Sequence, residues 1–230
     1  MKLVERSSAD VASRPPVLAI PVGSCEQHGP HLPLGTDTMI AEALAERLAE
    51  RIPEILVGPT ITVSASGEHA GFPGTLSLGT EVTTMVLIEL ARSADWAAGL
   101  VLVNGHGGNA AAVQRAVATI EAEGRRVVSW WPQIAGGDAH AGTVETSLML
   151  ALRPELVVTD RLEMGNTESL AALAPQLRAG GVAAVSANGV LGDPRDATLS
   201  AGTSLLDKIT VDLVATVEEA IRVDWPLPPR

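Results

Sequence analysis

Short, unbroken apolar runs alternate with amphipathic segments along this chain. The runs span residues 17–22 and 100–103 and stop at Gly23 and Gly105, and RRVVSWW at 125–131 is predicted as a third strand. Runs of this length are typical of parallel strands that are buried on both faces. The segment after the first run repeats apolar residues at helical spacing: Ile40, Leu44, Leu48 and Ile52. The alternation predicts a three-layer α/β/α fold with a mostly parallel central sheet.

Turn and capping residues set the expected element boundaries. Further helices are predicted at 81–95, 109–124, 145–152 and 204–222, and ILVGPTITV at 55–63 reads as one or two strands. Thr36 or Thr38 is expected to cap the first helix and Asn109 a later one, whereas 165–200 is predicted to be rich in loops. The expected organisation is a flexible N-terminal arm at 1–16 and a single domain at 17–230.

Composition and charge exclude several classes of function. The net charge is −11 and no basic stripe is present, which argues against nucleic acid and anionic membrane surfaces as partners. No apolar run approaches the ~20 residues that a membrane-spanning helix needs. Cys25 is the only cysteine, so no internal disulfide can form. These features lead us to expect a cytoplasmic protein.

Nitrogen and oxygen ligands follow the predicted strands. In extended backbone Glu26 and His28 point to one side and Gln27 faces away; Asp37 lies nine residues beyond His28, and His106 follows the second strand. Because strands of a parallel sheet end at one rim, these side chains are expected to converge. The set contains no thiolate and suits zinc, manganese or iron(II). The two oxygens of Asp37 can bridge a pair of metal ions ~3.5 Å apart.

Two further Gly-rich loops add candidates. In DAHAGTVE, His140 is expected to shuttle a proton, and Glu145 either completes a second metal site or holds the attacking water. His69 is expected to line the pocket, and one of Trp130 and Trp131 is expected to face the core while the other reaches the pocket. A loop histidine is usually only a hydrogen-bonded surface group. All five histidines, however, lie in Gly-rich loops after strands, which favours a metal site.

Two candidates have simpler explanations. His31 lies between Pro30 and Pro33 and is expected to pack or cap a backbone group rather than bind a metal. Cys25 has no candidate general base beside it in a recognisable sequence pattern. We therefore expect Cys25 to be a small buried residue rather than a nucleophile.

Three spaced motifs resemble the creatininase (creatinine amidohydrolase) family. They are GSCEQHGPHLPLGTD, NGHGGN and HAGTVETS, in the family's order, and GVLGDPRDAT at 189–198 extends the match. The stretches ASGEHAGFPGTLSLGTE and GGVAAVSANGVLGDP look most like the branch encoded with the mycofactocin pathway. That resemblance implies a peptidase that releases the C-terminal Val-Tyr-derived piece of a modified precursor peptide.

The resemblance also implies a centre of one or two divalent ions and a homo-oligomer, often a hexamer. By motif, Glu26, His28, Asp37 and His106 look like metal ligands. The family's creatininase has an acidic ligand where this chain has Gly108, so Glu145 is the expected replacement. Trp131, Gly107 and Gly108 are expected to contact the substrate, and the backbone N–H groups of the glycine loop are expected to stabilise an oxyanion.

Three functions are compatible with this sequence. The first is the metallopeptidase, and the second is an amidohydrolase of a small molecule such as creatinine, a formamide or a lactam. The third is a non-catalytic assembly protein that keeps the family's fold. The paired tryptophans that surround creatinine in the family's creatininase are not clearly matched, which speaks against creatinine.

Overall fold

A four-stranded parallel sheet forms the centre of the protein. The computed structural model describes residues 1–12 and 15–225, so parts of the predicted arm and of the predicted domain's end, 13–14 and 226–230, lie outside the described residues. The strands are β1 (Val17–Val22), β2 (Ile55–Val57), β3 (Gly99–Asn104) and β4 (Val127–Trp130), in the order β2-β1-β3-β4. Every pair of these strands is parallel, as the apolar runs predicted.

Helices cover both faces of this sheet, which confirms the three-layer α/β/α prediction. They are α1 (Ser8–Ala12), α2 (Thr36–Arg51), α3 (Gly79–Ser93), α4 (Ala110–Ala122), α5 (Thr143–Leu152), α6 (Leu170–Gly180) and α7 (Leu199–Asp224). One face of the sheet packs against α2, α5 and α7, and the opposite face packs against α3 and α4.

Alternate residues of each strand supply the two cores. In β3, Val101 and Val103 join the core under α2 and α7, whereas Leu100 and Leu102 join the core under α3 and α4. All six residues of β3 are buried, as expected for a strand covered on both faces. Trp130 is the tryptophan that faces the core, and its indole N–H donates to Asp212 of α7 at 2.6 Å.

The strand order places a topological switch point between β1 and β3. From β1 the chain crosses to β2 on one side, and later returns to β3 on the other side. Val22 of β1 and Asn104 of β3 are register partners, so the loops after both strands leave the sheet side by side. Ligand sites of open α/β sheets lie at such points, beyond the carboxyl ends of the strands.

Candidate metal centre

Two glycines let the start of α2 reach the ends of β1 and β3. A Cβ atom at Gly23 would lie 2.3 Å from Thr38 Oγ1, and one at Gly105 would lie 2.4 Å from the carbonyl oxygen of Asp37. Only glycine leaves room for so close an approach. The approach places the Asp37 side chain beyond the sheet edge, where the loops after both strands also arrive.

Glu26, His28, Asp37 and His106 meet there, as the motifs predicted. His28 Nε2 lies 3.1 Å from Asp37 Oδ1, and His106 Nδ1 lies 3.0 Å from Asp37 Oδ2. His106 Nε2 lies 3.1 Å from Glu26 Oε2. All four side chains are buried. Asp37 therefore lies between two histidines, with one carboxylate oxygen toward each.

Glu145 approaches the cluster from the first turn of α5. Its Oε2 atom lies 3.7 Å from His28 Nε2 and 4.0 Å from His140 Nδ1. The backbone N–H of Ala141 donates to the same oxygen at 2.6 Å. Among the residues with a described backbone, Ala141 is the one non-glycine residue with a positive φ, 52°. Such backbone strain is common at functional sites, and here it aims an N–H group at a site carboxylate.

Burial and crowding of charge shift the pKa values of the acids. Burial, and then the neighbouring Asp37 carboxylate, raise the pKa of Glu26 to about 8. Burial raises the pKa of Glu145 to about 7, against the pull of His28. Burial also disfavours the Asp37 anion, but His28 and His106 outweigh it, so the pKa of Asp37 is lowered. Two buried carboxylates and a partly buried third this close together need positive charge from protons or from a cation.

The two histidines beside Asp37 have raised pKa values, which also indicate that the cluster favours positive charge. Burial opposes the charge of His28, yet the Asp37 carboxylate raises its pKa to about 10. The pKa of His106 rises to about 9, because the hydrogen bond to Asp37 and the charge of Glu26 outweigh burial. A divalent cation would satisfy the carboxylates and displace these protons.

Backbone carbonyls hold one ring nitrogen of each of three histidines. His28 Nδ1 lies 3.1 Å from the Glu26 carbonyl, and His106 Nε2 lies 3.0 Å from the Ala65 carbonyl. His140 Nε2 lies 2.8 Å from the Gln27 carbonyl. A carbonyl only accepts, so these nitrogens carry a hydrogen. The other ring nitrogens face carboxylates: His28 Nε2 and His106 Nδ1 face Asp37, and His140 Nδ1 faces Glu145. Metal-binding histidines are usually held in this way.

The arrangement fits a divalent metal centre. Three groups of side chains bring their ligand atoms within 4.8 Å of one another: Glu26 with Asp37 and His106, His28 with Asp37 and Glu145, and Glu26 with His28 and His140. Asp37 is shared by the first two groups, and its role as a bridging ligand remains a prediction. Both carboxylate oxygens of Glu26 are buried, with His106 Nε2 at 3.1 Å and His69 Nε2 at 3.3 Å, and accept no well-aligned hydrogen bond from the described residues, which is costly unless a cation binds them.

A cavity of about 590 Å³ opens beside this cluster. Its lining includes Glu145, His106 and Gly107 together with Trp131, the second tryptophan of the pair. His140 is buried behind Glu145, and His69 is buried with its Nε2 atom 3.3 Å from Glu26 Oε1. Neither of these two histidines, nor Gly108, is among the cavity-lining residues in the described part of the chain. The roles predicted for them, proton transfer for His140, pocket lining for His69 and substrate contact for Gly108, remain predictions.

His31 and Cys25 lie outside the cluster. His31 is buried and its Nε2 atom lies 2.9 Å from the Thr146 hydroxyl of α5, so it packs and bonds as expected. Cys25 is half-buried, with its thiol 3.7 Å from the Gly74 carbonyl.

Two functional candidates escaped sequence reasoning. The first is Gln27, which the sequence only predicted to face away from Glu26 and His28, and whose side chain is buried against His69 and His140. The second is Glu68, whose Oε1 atom lies 3.5 Å from His106 Nε2. A Cβ atom at Gly108 would lie 1.9 Å from Glu68 Oε1, so the Glu68 carboxylate fills the space that a side chain at 108 would need. No local pattern links two residues forty positions apart.

Comparison with known proteins identifies the family of this chain. The family model described as Creatininase: Creatinine amidohydrolase matches residues 4–217. The chain belongs to the creatininase family. A mycofactocin precursor peptide peptidase of Mycobacterium ulcerans is 49% identical over 222 residues, covering 92% of this chain and 88% of that protein. The creatinine amidohydrolase of Pseudomonas putida is 36% identical over 189 residues, covering 67% and 71%.

Solved creatininase structures share the architecture. A crystal structure of creatinine amidohydrolase superposes with a TM-score of 0.80 at 26% identity, covering 98% of both chains. A structure described as Creatininase Mn gives a TM-score of 0.79 at 27% identity, covering 97% of this chain and 98% of that one. Family membership therefore extends over the whole described fold, including the strand ends that carry the site.

Proposed function

We propose that this protein is a metal-dependent hydrolase of C–N amide bonds. The observation that carries the proposal is the arrangement of the buried Glu26, His28, Asp37 and His106 side chains with the partly buried Glu145. We propose Glu26, His28, Asp37 and His106 as ligands of one or two divalent ions such as zinc, manganese or iron(II), with Glu145 either as a further ligand or as the group that holds the attacking water. A bound ion would lower the pKa of a bound water toward ~7 and polarise the amide carbonyl.

Glu145 and His140 are suited to move the proton. In the metal-free protein burial raises the pKa of Glu145 to about 7, so this carboxyl is suited to exchange a proton near neutral pH when it holds the attacking water. His140 turns its unprotonated Nδ1 atom toward Glu145, 4.0 Å away. In the hydrolysis, the water oxygen bonds to the carbonyl carbon and the C–N bond breaks. The proton taken from water by this pair passes to the leaving nitrogen.

The glycine loop after β3 is suited to stabilise the negative oxygen. Gly107 lines the cavity, and the turn Gly107–Asn109 leads directly into α4. The positive end of the helix dipole therefore lies at this edge of the cavity. Removing one donor to an oxyanion typically costs ~3 kcal/mol of barrier.

A peptide is the substrate that we propose, specifically the modified mycofactocin precursor peptide, from which the C-terminal Val-Tyr-derived piece is released. The support is the similarity to the mycobacterial peptidase over nearly the full length of both chains. The cavity volume of about 590 Å³ lies within the ~300–1,000 Å³ of pockets for drug-sized ligands, which is ample for a dipeptide-sized group. A small amide is the second candidate, supported by the creatinine amidohydrolase of Pseudomonas putida.

The test combines metal analysis with cleavage assays. We expect Glu26→Gln to lose bound metal and turnover together, because it removes one charge from a buried ligand. Glu121→Gln makes the same chemical change on the exposed face of α4 and is expected to match the wild type.

The substrates are the modified precursor peptide and, separately, creatinine, a formamide and a lactam. Cleavage of the peptide alone supports the peptidase, and cleavage of a small amide alone supports the second candidate. Metal binding without turnover of any substrate would favour a non-catalytic assembly protein. Near-normal turnover by Glu26→Gln without measurable metal would refute the metal-dependent mechanism.

A further inference from the structure

Gln27 lies at the centre of the histidine cluster although no function has been assigned to it. It stands between Glu26 and His28 and is 5% exposed. Its amide nitrogen lies 2.8 Å from His69 Nδ1, 3.1 Å from His140 Nε2 and 3.0 Å from the Gly189 carbonyl. A Cβ atom at Gly189 would lie 1.9 Å from Gln27 Oε1, so glycine at 189 allows this loop to press against the amide.

Two backbone groups fix the orientation of the Gln27 amide. The Gly29 N–H, which can only donate, lies 2.9 Å from Gln27 Oε1. The Gly189 carbonyl, which can only accept, lies 3.0 Å from Gln27 Nε2. Exchanging the oxygen and nitrogen of the amide would oppose donor to donor and acceptor to acceptor.

We propose that Gln27 is a positioning residue that gives His69 and His140 the same tautomer, with hydrogen on Nε2, while different ring nitrogens of the two residues face the carboxylates. The amide nitrogen has two hydrogens, and one goes to the Gly189 carbonyl. The other goes to His69 Nδ1, which must accept it and is therefore unprotonated. Neutral His69 then carries its own hydrogen on Nε2, the atom 3.3 Å from Glu26 Oε1.

The main chain of the same residue sets His140. The Gln27 carbonyl oxygen lies 2.8 Å from His140 Nε2, so this nitrogen carries the hydrogen and cannot accept another from the Gln27 amide. His140 Nδ1 is left with its lone pair toward Glu26 Oε1 at 3.8 Å and Glu145 Oε2 at 4.0 Å. One histidine thus presents a hydrogen to the carboxylates and the other presents a lone pair.

This difference has a chemical consequence for the centre. With a hydrogen on Nε2, His69 cannot bind the metal through the atom nearest the cluster; instead it directs an N–H toward Glu26 and helps to orient that carboxylate. Such outer contacts typically change metal affinity or activity by about 10–100-fold. The consequence rests on the proposed function, whereas the tautomer assignments rest on the hydrogen bonds of Gln27 alone.

The test is nitrogen NMR of the zinc-loaded protein labelled with ¹⁵N-histidine. Five histidines give few signals, and long-range ¹H–¹⁵N correlations distinguish the protonated ring nitrogen from the bare one. In the wild type we expect His69 with hydrogen on Nε2 and bare Nδ1. In Gln27→Met, which keeps the length of the side chain and removes the amide, we expect this pattern to be lost and zinc affinity to fall about 10–100-fold.

Controls separate positioning from general damage. His28 is held by the Glu26 carbonyl, so its signals are expected to stay unchanged in Gln27→Met. Gln114→Met makes the same change at an exposed position of α4 and should match the wild type throughout. A wild-type His69 protonated on Nδ1 overturns the proposal even if Gln27→Met does not fold. Retention of both the His69 pattern and the zinc affinity in Gln27→Met also overturns it.

Failure of the proposed function gives a different result. A protein with the expected tautomers and zinc affinity that cleaves neither peptide nor small amide leaves the assignment for Gln27 intact and refutes the hydrolase.

Discussion

Gly108 and Gly107 are neighbours with opposite surroundings. A Cβ atom at Gly108 would lie 1.9 Å from Glu68 Oε1 and 2.3 Å from His106 Nε2, whereas one at Gly107 would meet no atom within 4 Å. The loop can therefore take a side chain at one glycine but not at the other. The space kept at 108 is where the Glu68 carboxylate approaches the metal-ligand cluster.

The pair provides a matched test of this spacing. We expect Gly108→Ala to weaken zinc binding by about 10-fold or more, because the methyl group displaces Glu68 or His106. Gly107→Ala should bind zinc as the wild type does. Isothermal titration of both variants with zinc measures the difference, and equal affinities would show that the space at Gly108 is unimportant for the centre.

At the scale of elements, helix α2 is positioned by contact and not by capping. The side-chain hydroxyls of Thr36 and Thr38, predicted as caps, instead donate to the carbonyls of Pro33 at 2.8 Å and Ser24 at 2.8 Å. Asn109 likewise makes no capping bond; its amide bonds to Gly23, Ala65 and Asn104 and ties the loops together. Their hydrogen bonds hold the loops at the carboxyl ends of the strands in place.

The fit of α2 onto the strand ends can be tested at Gly105. A Cβ atom there would lie 2.4 Å from the Asp37 carbonyl oxygen, which belongs to the helix backbone and cannot rotate away. We expect Gly105→Ala to lower the free energy of unfolding by about 1–3 kcal/mol, as overpacking of a tight contact does. Denaturant titration measures this change.

Gly67→Ala is the control for that measurement, because a Cβ atom at Gly67 would meet no atom within 4 Å. A Gly105→Ala variant as stable as Gly67→Ala would mean that α2 does not rest on β3 in the way described here.

Two elements differ from the sequence-based boundaries for local reasons. Helix α6, with Pro175 inside it, lies in a region predicted to be rich in loops. The helix forms there because Ser169 caps its start and Leu173 packs into a small core with Val182 and Leu191. Helix α7 begins at Leu199, five residues before the prediction, where the Thr198 hydroxyl accepts from the Ala201 N–H.

At the scale of the whole molecule, the buried cluster couples stability to pH. In the metal-free protein four groups have pKa values above their ordinary ones: His28 at about 10, His106 at about 9, Glu26 at about 8 and Glu145 at about 7. The ordinary values are 6.5 for histidine and 4.5 for glutamate. Above pH 7 the native state thus holds more protons than the unfolded state, so stability falls as pH rises.

We therefore expect the free energy of unfolding of the metal-free protein to decrease from pH 7 to pH 10. His69 and His140, whose pKa values are lowered by burial, are neutral in both states over this range and do not oppose the trend. With zinc bound, the cation replaces the protons and the decrease should be smaller. Denaturant titrations at several pH values, with zinc and with chelator, test this; a metal-free protein that gains stability between pH 7 and 10 would contradict it.

Two expectations from the sequence concern the whole molecule: the absence of a membrane-spanning helix and the formation of a homo-oligomer. Among residues 1–12 and 15–225, no helix is long and apolar enough to cross a membrane. Apolar side chains at the start of α3 and just before it are exposed: Leu76, Leu78, Val82 and Met85. The homo-oligomer implied by the family resemblance remains a prediction.

The sequence by itself determined the layers and the ligand types. Strand and helix positions follow from apolar periodicity, a local property, and the rule that parallel strands end at one rim brought Glu26, His28, Asp37 and His106 together. Only the tertiary structure placed Gln27 and Glu68 at this cluster, because both contact histidines that are distant in sequence. It also decided which nitrogen of each histidine faces the carboxylates, because that choice is made by backbone carbonyls brought close only by folding.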